Sequence, residues 1–399
     1  MLKKSARREW GCALAALLAL LLIFSVSKPA RAERARALFI GDIMTHIQQL
    51  DAAEHKEKGG RRWDFAPQFH RVKPLLADAF VIGNLETTFS GEKRGYSGYP
   101  AFNTPDSLTA ALRDLDIDLL TLANNHIFDK GAAGARRTAE VLTREGFPWV
   151  GLGFDDIPAN DAVLLEAEGL RWAFVSLTYG SNILPKNSDV HLNIISRAAI
   201  AESLKRAKAL DPDVIVACFH WGNEYHYSPS VHQKQAADTA LAEGADLVIG
   251  THPHVLQPVE VRMDKDGTPK AIAWSLGNFV SFQRTLPRER TCILSAEFEK
   301  DATGRARLVR LAAAPLQVIL MPGHRPKPRR TEPVYAGTGG NFNHSGLSKS
   351  QLQSIRQVGK AVLDFLGAQD EVDEHGFYTL WSAESPDVLP RPRRKSPLN

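Results

Sequence analysis

The sequence predicts an α/β protein with mixed sheets, on three observations. Five apolar runs stop abruptly at Asp, Asn, Glu or His. Stretches of helical period separate the early runs. Paired apolar runs with turn residues between them follow later, as hairpins do. An apolar run that ends in Gly and polar residues reads as a buried strand entering a loop. In open α/β sheets, ligands bind outside such strand ends.

The elements can be taken in order. Residues 38–40 lead into Gly41-Asp42-Ile43-Met44-Thr45-His46, and residues 79–82 into Gly83-Asn84-Leu85-Glu86. Residues 119–122 lead into Ala123-Asn124-Asn125-His126. Residues 214–219 lead into His220-Trp221-Gly222-Asn223-Glu224, and residues 245–249 into Gly250-Thr251-His252-Pro253-His254. Helices are expected at 106–115, 132–145, 196–210 and 230–243, with Ser196 as an N-cap and Gly244 as a stop. Residues 162–177 read as a hairpin turning at Glu168-Gly169. Residues 257–263 and 271–276 flank Asp264-Lys265-Asp266-Gly267 as a second hairpin.

Each polar cluster has a bland explanation by itself. Asp42 can make a turn, Asn84 or Asn124 can cap a helix, and His126 or His220 can be a satisfied group under a loop. Together they need five unrelated explanations, whereas one shared site needs a single one. Asp42, Glu86, Asn125, His220, His252 and His254 offer carboxylate, amide oxygen and imidazole, with no thiolate cluster. That mix suits Mn, Fe or Zn better than Ca, which takes all-oxygen shells. Six donors exceed one tetrahedral site. Two divalent metal ions fit better, and such pairs clamp the attacking and leaving oxygens of a phosphoester displacement.

These motifs, taken with Asp129-x-Gly131, Tyr225, Val255-Leu256-Gln257 and Ser275-Leu276-Gly277-Asn278-Phe279, resemble the CapA family over residues 36–320. That family is associated with bacterial capsule and poly-γ-glutamate synthesis, and is itself similar to the calcineurin-like metallophosphoesterases. The resemblance implies a four-layer αββα sandwich. It implies Asp42 as an acidic ligand, Glu86 as the bridging carboxylate, Asn125 as a ligand and His126 as the catalytic general acid. His220 matches the isolated His ligand, with His252 and His254 as the closing pair. Asn84, Glu224 and Asn278 are expected on the substrate side. One departure is Thr45-His46-Ile47, where many members have a Leu-Gly-Arg type sequence; His46 is expected to touch substrate.

Two classes of function follow. One is a metal-dependent hydrolase or transferase acting on a phosphoester or an amide-linked anionic polymer during capsule synthesis or export, or a general dimetal phosphoesterase. The other is a non-catalytic assembly factor that binds the polymer. Membrane-bound polymer synthesis or export proteins are expected partners of either.

Residues 1–32 read as a secretory signal or an N-terminal anchor. Lys3, Lys4, Arg7 and Arg8 form a basic head, residues 11–27 carry the apolar run, and Ala30-Arg31-Ala32 is a small-x-small cleavage site. The protein is therefore expected to be exported to the periplasmic or extracellular face. The chain has 49 basic and 45 acidic residues, and the first 32 hold six basic and one acidic, leaving 43 against 44. The basic character belongs to the leader, so a nucleic-acid partner, which needs a basic surface, is not expected.

Cys218 and Cys292 lie in apolar stretches and read as buried thiols. Residues 321–347, rich in Pro, Gly, Arg and Asn, are expected to be a linker. Residues 348–368 carry Leu352, Ile355, Val358, Val362 and Phe365 on one stripe, an amphipathic helix packing on the main domain. Residues 389–399 are expected to be a basic disordered tail.

Overall fold

The computed structural model describes residues 34–57, 60–155, 161–185, 189–301, 303–321, 330–338 and 344–386. The expected leader and the basic tail lie outside the described residues. In chain order the strands of the two main sheets are β1 (Ala35–Ile43), β2 (Phe80–Leu85), β3 (Ile117–Thr121), β4 (Trp149–Val150), β5 (Val163–Ala167), β6 (Leu170–Thr178), β7 (Val214–His220) and β8 (Leu247–Thr251). They continue with β9 (Val259–Met263), β10 (Pro269–Ala273), β11 (Asn278–Val280), β12 (Arg290–Lys300), β13 (Ala306–Met321), β14 (Arg330–Tyr335) and β15 (Tyr378–Ser382). The helices are α1 (Ile47–Ala53), α2 (Lys73–Leu76), α3 (Leu108–Asp114), α4 (Gly131–Arg144), α5 (Arg197–Ala209), α6 (Val231–Ala242) and α7 (Lys349–Leu366).

The first sheet runs β14-β13-β12-β1-β2-β3-β4, with β11 beside β1 and β15 beside β13. The second runs β9-β10-β8-β7-β6-β5. β1, β2, β3 and β4 are parallel, as are β6, β7, β8 and β10, while the two hairpins β5–β6 and β9–β10 are antiparallel. The sheets are therefore mixed, with parallel centres.

Three apolar clusters explain the layering. One packs α1 to α4 on the outer face of the first sheet. A second packs α5 and α6 on the outer face of the second sheet, through Ile200, Leu204, Ala237 and Ala240. The third lies between the sheets, where Phe39 and Phe80 meet Trp172, Phe174, Val216 and Leu247. Helix, sheet, sheet and helix thus make four layers. Strands covered on both faces are apolar throughout, which is why β2 and β7 are continuous buried runs rather than alternating ones.

Helix ends follow their local chemistry. Ser196 accepts from Ala199 N–H at 3.1 Å. Ser230 with Gln233, and Ser348 with Gln351, form capping boxes that satisfy first-turn N–H groups. Helix α7 ends at Gly367 in the left-handed region, φ 70°. It buries Ile355, Val358, Val362 and Phe365. Val358, Val362 and Phe365 extend the inter-sheet core toward Leu380 and Trp381.

The expectation of a linker at 321–347 needs correction: Arg330–Tyr335 is strand β14, antiparallel to β13 at the sheet edge. Its sequence hid it, because Arg330, Glu332 and Pro333 look like loop residues. An outer strand tolerates proline, which has no ladder donor to lose. Glu332 is fully buried yet paired, with Arg71 Nε at 2.8 Å and Arg330 Nε at 2.6 Å. The first sheet also continues past residue 320 through β15, so its edge is built by the chain's later part. Cys218 and Cys292 are free and buried, and burial pushes both thiols up to about 12.

Candidate metal centre

The carboxyl ends of the two parallel sheet centres meet at one place. In the first sheet, Asp42 on β1 sits between Asn84 on β2 and Asn278 on β11 in direct register. In the second, His220 on β7 sits between Thr178 on β6 and Thr251 on β8. The glycine before Asp42 has a steric reason: a Cβ on Gly41 would lie 1.9 Å from the Gly277 carbonyl oxygen. Without it, β1 closes on β11 and Asp42 N–H donates to Gly277 O at 3.0 Å.

The acidic and imidazole groups overlap in two triads. Asp42, Glu86 and His220 bring one ligand atom each to within 4.8 Å of one another, and so do Glu86, His252 and His254. Glu86 belongs to both. Its Oε1 lies 3.7 Å from His220 Nε2 and 3.8 Å from His254 Nε2. Asn125, on the loop after β3, adds an amide oxygen 2.8 Å from His220 Nε2. That loop is held from the other sheet, since Asn182 N–H and Ser181 Oγ donate to Asn125 O at 2.9 and 3.0 Å. The six donors expected from the sequence are therefore brought together.

Partners on the far side orient each ring. His254 Nδ1–H donates to Asn278 Oδ1 at 3.0 Å, which leaves the Nε2 lone pair facing Glu86. Thr251 Oγ1 lies 3.0 Å from His220 Nδ1 and can fix that ring the same way. Asp42 accepts from Asn84 Nδ2 at 2.7 Å and from His252 N–H at 3.3 Å. His252 and His254 both hold positive φ, 96° and 57°, in a region that side chains avoid. Such strain is characteristic of functional loops.

The electrostatics suit a cation. Glu86 is fully buried, and among the described residues neither of its oxygens has a hydrogen-bond partner. Burial, then the Asp42 carboxylate, hold its pKa well above the ordinary range. Burial and the neighbouring imidazoles hold His220 well below its ordinary value. Burial, then His254, push His252 down to about 3, and its Nδ1 also lacks a partner. Neutral imidazoles are the protonation state that metal ligation requires, and a cation beside Glu86 would offset the burial that opposes its ionisation. The residues present fit a divalent metal.

His126 stands beside this cluster. Its Nδ1–H donates to Asp129 Oδ2 at 2.8 Å, and its Nε2 is 3.9 Å from Glu86 Oε1. Asp129 is itself fixed by Phe102 N–H at 2.7 Å. The sequence signal for Asp129 was its place three residues after His126. The expected substrate-side residues divide. His46 lies at the rim, edge-on to Phe102, and its Nδ1 accepts from Phe282 N–H at 3.2 Å. Burial pushes it down to about 4, so it is a neutral donor through Nε2. Glu224 is exposed at the mouth. Asn84 and Asn278 depart from the expectation: both are buried, and their amides hold Asp42 and His254 from behind.

A family model described as bacterial capsule synthesis protein PGA_cap matches residues 36–283. The chain belongs to that family. Among PGA_cap relatives, the PGA biosynthesis protein CapA of Bacillus subtilis (strain 168) is 28% identical over 284 residues, covering 67% of this chain and 69% of that protein. The capsule biosynthesis protein CapA of Bacillus anthracis is 30% identical over 253 residues, 59% of each chain. The match thus spans less than two thirds of the second relative. Among solved structures, a hypothetical protein from Thermus thermophilus aligns with TM-score 0.42 and 19% identity, over 71% of this chain and 99% of that one. The 5'-nucleotidase of Candida albicans SC5314 aligns with TM-score 0.43 and 12% identity, over 85% and 60%.

Proposed function

We propose that this PGA_cap protein acts in the synthesis or export of a capsule or poly-γ-glutamate-type polymer, as an exported hydrolase or transferase with two divalent metal ions. The observation that carries this reading is Glu86, a buried carboxylate with both oxygens unsatisfied that is shared by two ligand triads. A shared carboxylate supports two adjacent positions rather than one. The names of the Bacillus relatives support the polymer.

Asp42, Glu86, His220 and Asn125 would hold one position, and Glu86, His252 and His254 the other. Bound there, Mn, Fe or Zn supplies charge neutralisation for the attacking and leaving oxygens. The chain supplies the rest. His126, oriented by Asp129, delivers a proton to the leaving group. Asn84, Asn278 and Thr251 keep the ligand rings and carboxylate aligned. Phe102 and Tyr179 wall the cluster, the latter with its ring 4.6 Å from His252.

The test is elemental analysis of the purified protein followed by assay with a generic phosphodiester and with poly-γ-glutamate. Two equivalents of metal and turnover of either substrate are expected. Protein that takes up no Mn, Fe or Zn ends the metal-site reading. Full occupancy with no turnover of either substrate leaves the polymer-binding assembly factor.

A further inference from the structure

We propose that Arg288 and Tyr225 form a clamp for a substrate carboxylate beside the metal centre, a specificity device that rests on the polymer reading above. The Arg288 guanidinium carbon lies 3.6 Å over the centre of the Tyr225 ring. The Tyr225 ring in turn lies 6.0 Å from that of His254. The cation is thus one aromatic ring away from the ligand cluster.

Both halves are fastened to the ligand loops. Tyr225 N–H donates to Pro253 O at 2.7 Å, between His252 and His254. Tyr225 also holds φ 65°, a strained value for a residue with a side chain. Asn278 Nδ2 donates to the Arg288 carbonyl at 3.3 Å, and the same amide's oxygen takes the His254 Nδ1–H. Whatever positions His254 therefore positions Arg288.

Among the described residues, the positive charge of Arg288 is left open over the Tyr225 ring. Glu289, the acid next in sequence, is paired with Arg284 at 3.0 Å. Glu224, the acid next to Tyr225 in sequence, is exposed to solvent. A second, independent observation lies two residues on. Arg290 is 8% exposed, and among the described residues its Nε and Nη1 have no hydrogen-bond partner. Buried donors without acceptors are rare and mark a missing partner. An anion beside Tyr225 would pair with the Arg288 guanidinium. A planar guanidinium held on an aromatic face presents its fork to a carboxylate in bidentate geometry. A polymer bearing one free carboxylate per residue would place such a group next to its bond at the metals.

The experiment measures binding of poly-γ-glutamate oligomers and of their methyl esters to the full chain loaded with Mn. The wild type is expected to bind the acid form roughly 10-fold or more tightly than the ester. Arg288→Gln should abolish most of that ratio, and Arg288→Lys should keep part of it, since charge survives without the fork. Thermal melts and metal content verify that both variants are folded and loaded. A wild type that does not distinguish acid from ester overturns the clamp, as does Arg288→Gln with the wild-type ratio. Failure of the catalytic reading looks different: the ratio persists while no substrate is turned over.

Discussion

Asn125 Oδ1 and His220 Nε2 lie 2.8 Å apart, although one follows a strand of the first sheet and the other ends a strand of the second. One donor on each layer makes the centre a fastening between the sheets as well as a site. Its occupancy should then depend on ring orientation as well as on ligands. His220→Ala is expected to lose metal outright. Thr251→Val, which removes only the hydroxyl facing His220 Nδ1, should weaken metal affinity by about 10–100-fold. Competition with a chelating dye measures both. Wild-type affinity in Thr251→Val would remove Thr251 from the orienting role.

Glu86 should make the metal-free protein less stable than it need be. Its folded-state pKa lies above the ordinary value, through burial and then Asp42. The sign follows: this group favours the fold while protonated, below its unfolded value, and that contribution is lost as pH rises toward the folded value. Glu86→Gln keeps the shape without the charge. Stripped of metal at neutral pH, the variant is expected to be more stable than wild type by about 1–3 kcal/mol, the cost of an unsatisfied buried polar group. The gap should narrow as pH falls toward 5. With metal added the order should reverse, because only wild type gains from binding. Chemical denaturation with and without chelator reads all three. A metal-free Glu86→Gln protein less stable than wild type would contradict the isolated-carboxylate account.

Much of the site was legible because its ligands stand at the ends of apolar runs, where a strand must stop and a loop begin. The convergence of five ends on one place needed no knowledge of register. What the sequence could not show was orientation. Asn84 and Asn278 look like substrate contacts in a motif, yet register places them on either side of Asp42, facing inward. Strand β14 was hidden because its charged, buried Glu332 is neutralised by Arg330 within the strand together with Arg71, 261 residues away in the chain. Arg288 lies in a segment without any motif, and only the fold sets it on Tyr225.

Export rests on residues that the structure does not describe. The small-x-small pattern at Ala30-Arg31-Ala32 predicts cleavage after Ala32. Mass spectrometry of protein from the native host should find Glu33 as the first residue in a soluble exported fraction. An intact Met1 terminus in the membrane fraction would establish an anchor at residues 11–27 instead.

The sharpest separation of chemistry from binding lies in His126. Its Nδ1–H is held by Asp129 Oδ2 at 2.8 Å, and its Nε2 faces the cluster 3.9 Å from Glu86 without belonging to either ligand triad. A general acid contributes roughly 10²–10⁴-fold to rate and little to metal affinity. His126→Ala is therefore expected to keep its metal and its fold while losing activity by that factor. His254→Ala should lose activity and metal together. Phe102 N–H and His126 Nδ1–H share Asp129 Oδ2, so Asp129→Asn can keep an oxygen for both but removes the negative charge, and the ring loses its anionic partner. A fall of about 10-fold or more in kcat, with KM and metal content near wild type, is expected. Steady-state kinetics on a phosphodiester, paired with elemental analysis, distinguish these variants. If His126→Ala keeps wild-type turnover, His126 is no acid. If it sheds its metal, His126 acts as a ligand, and the proton must come from elsewhere at the mouth, where His46 is the nearest rim imidazole on Phe102.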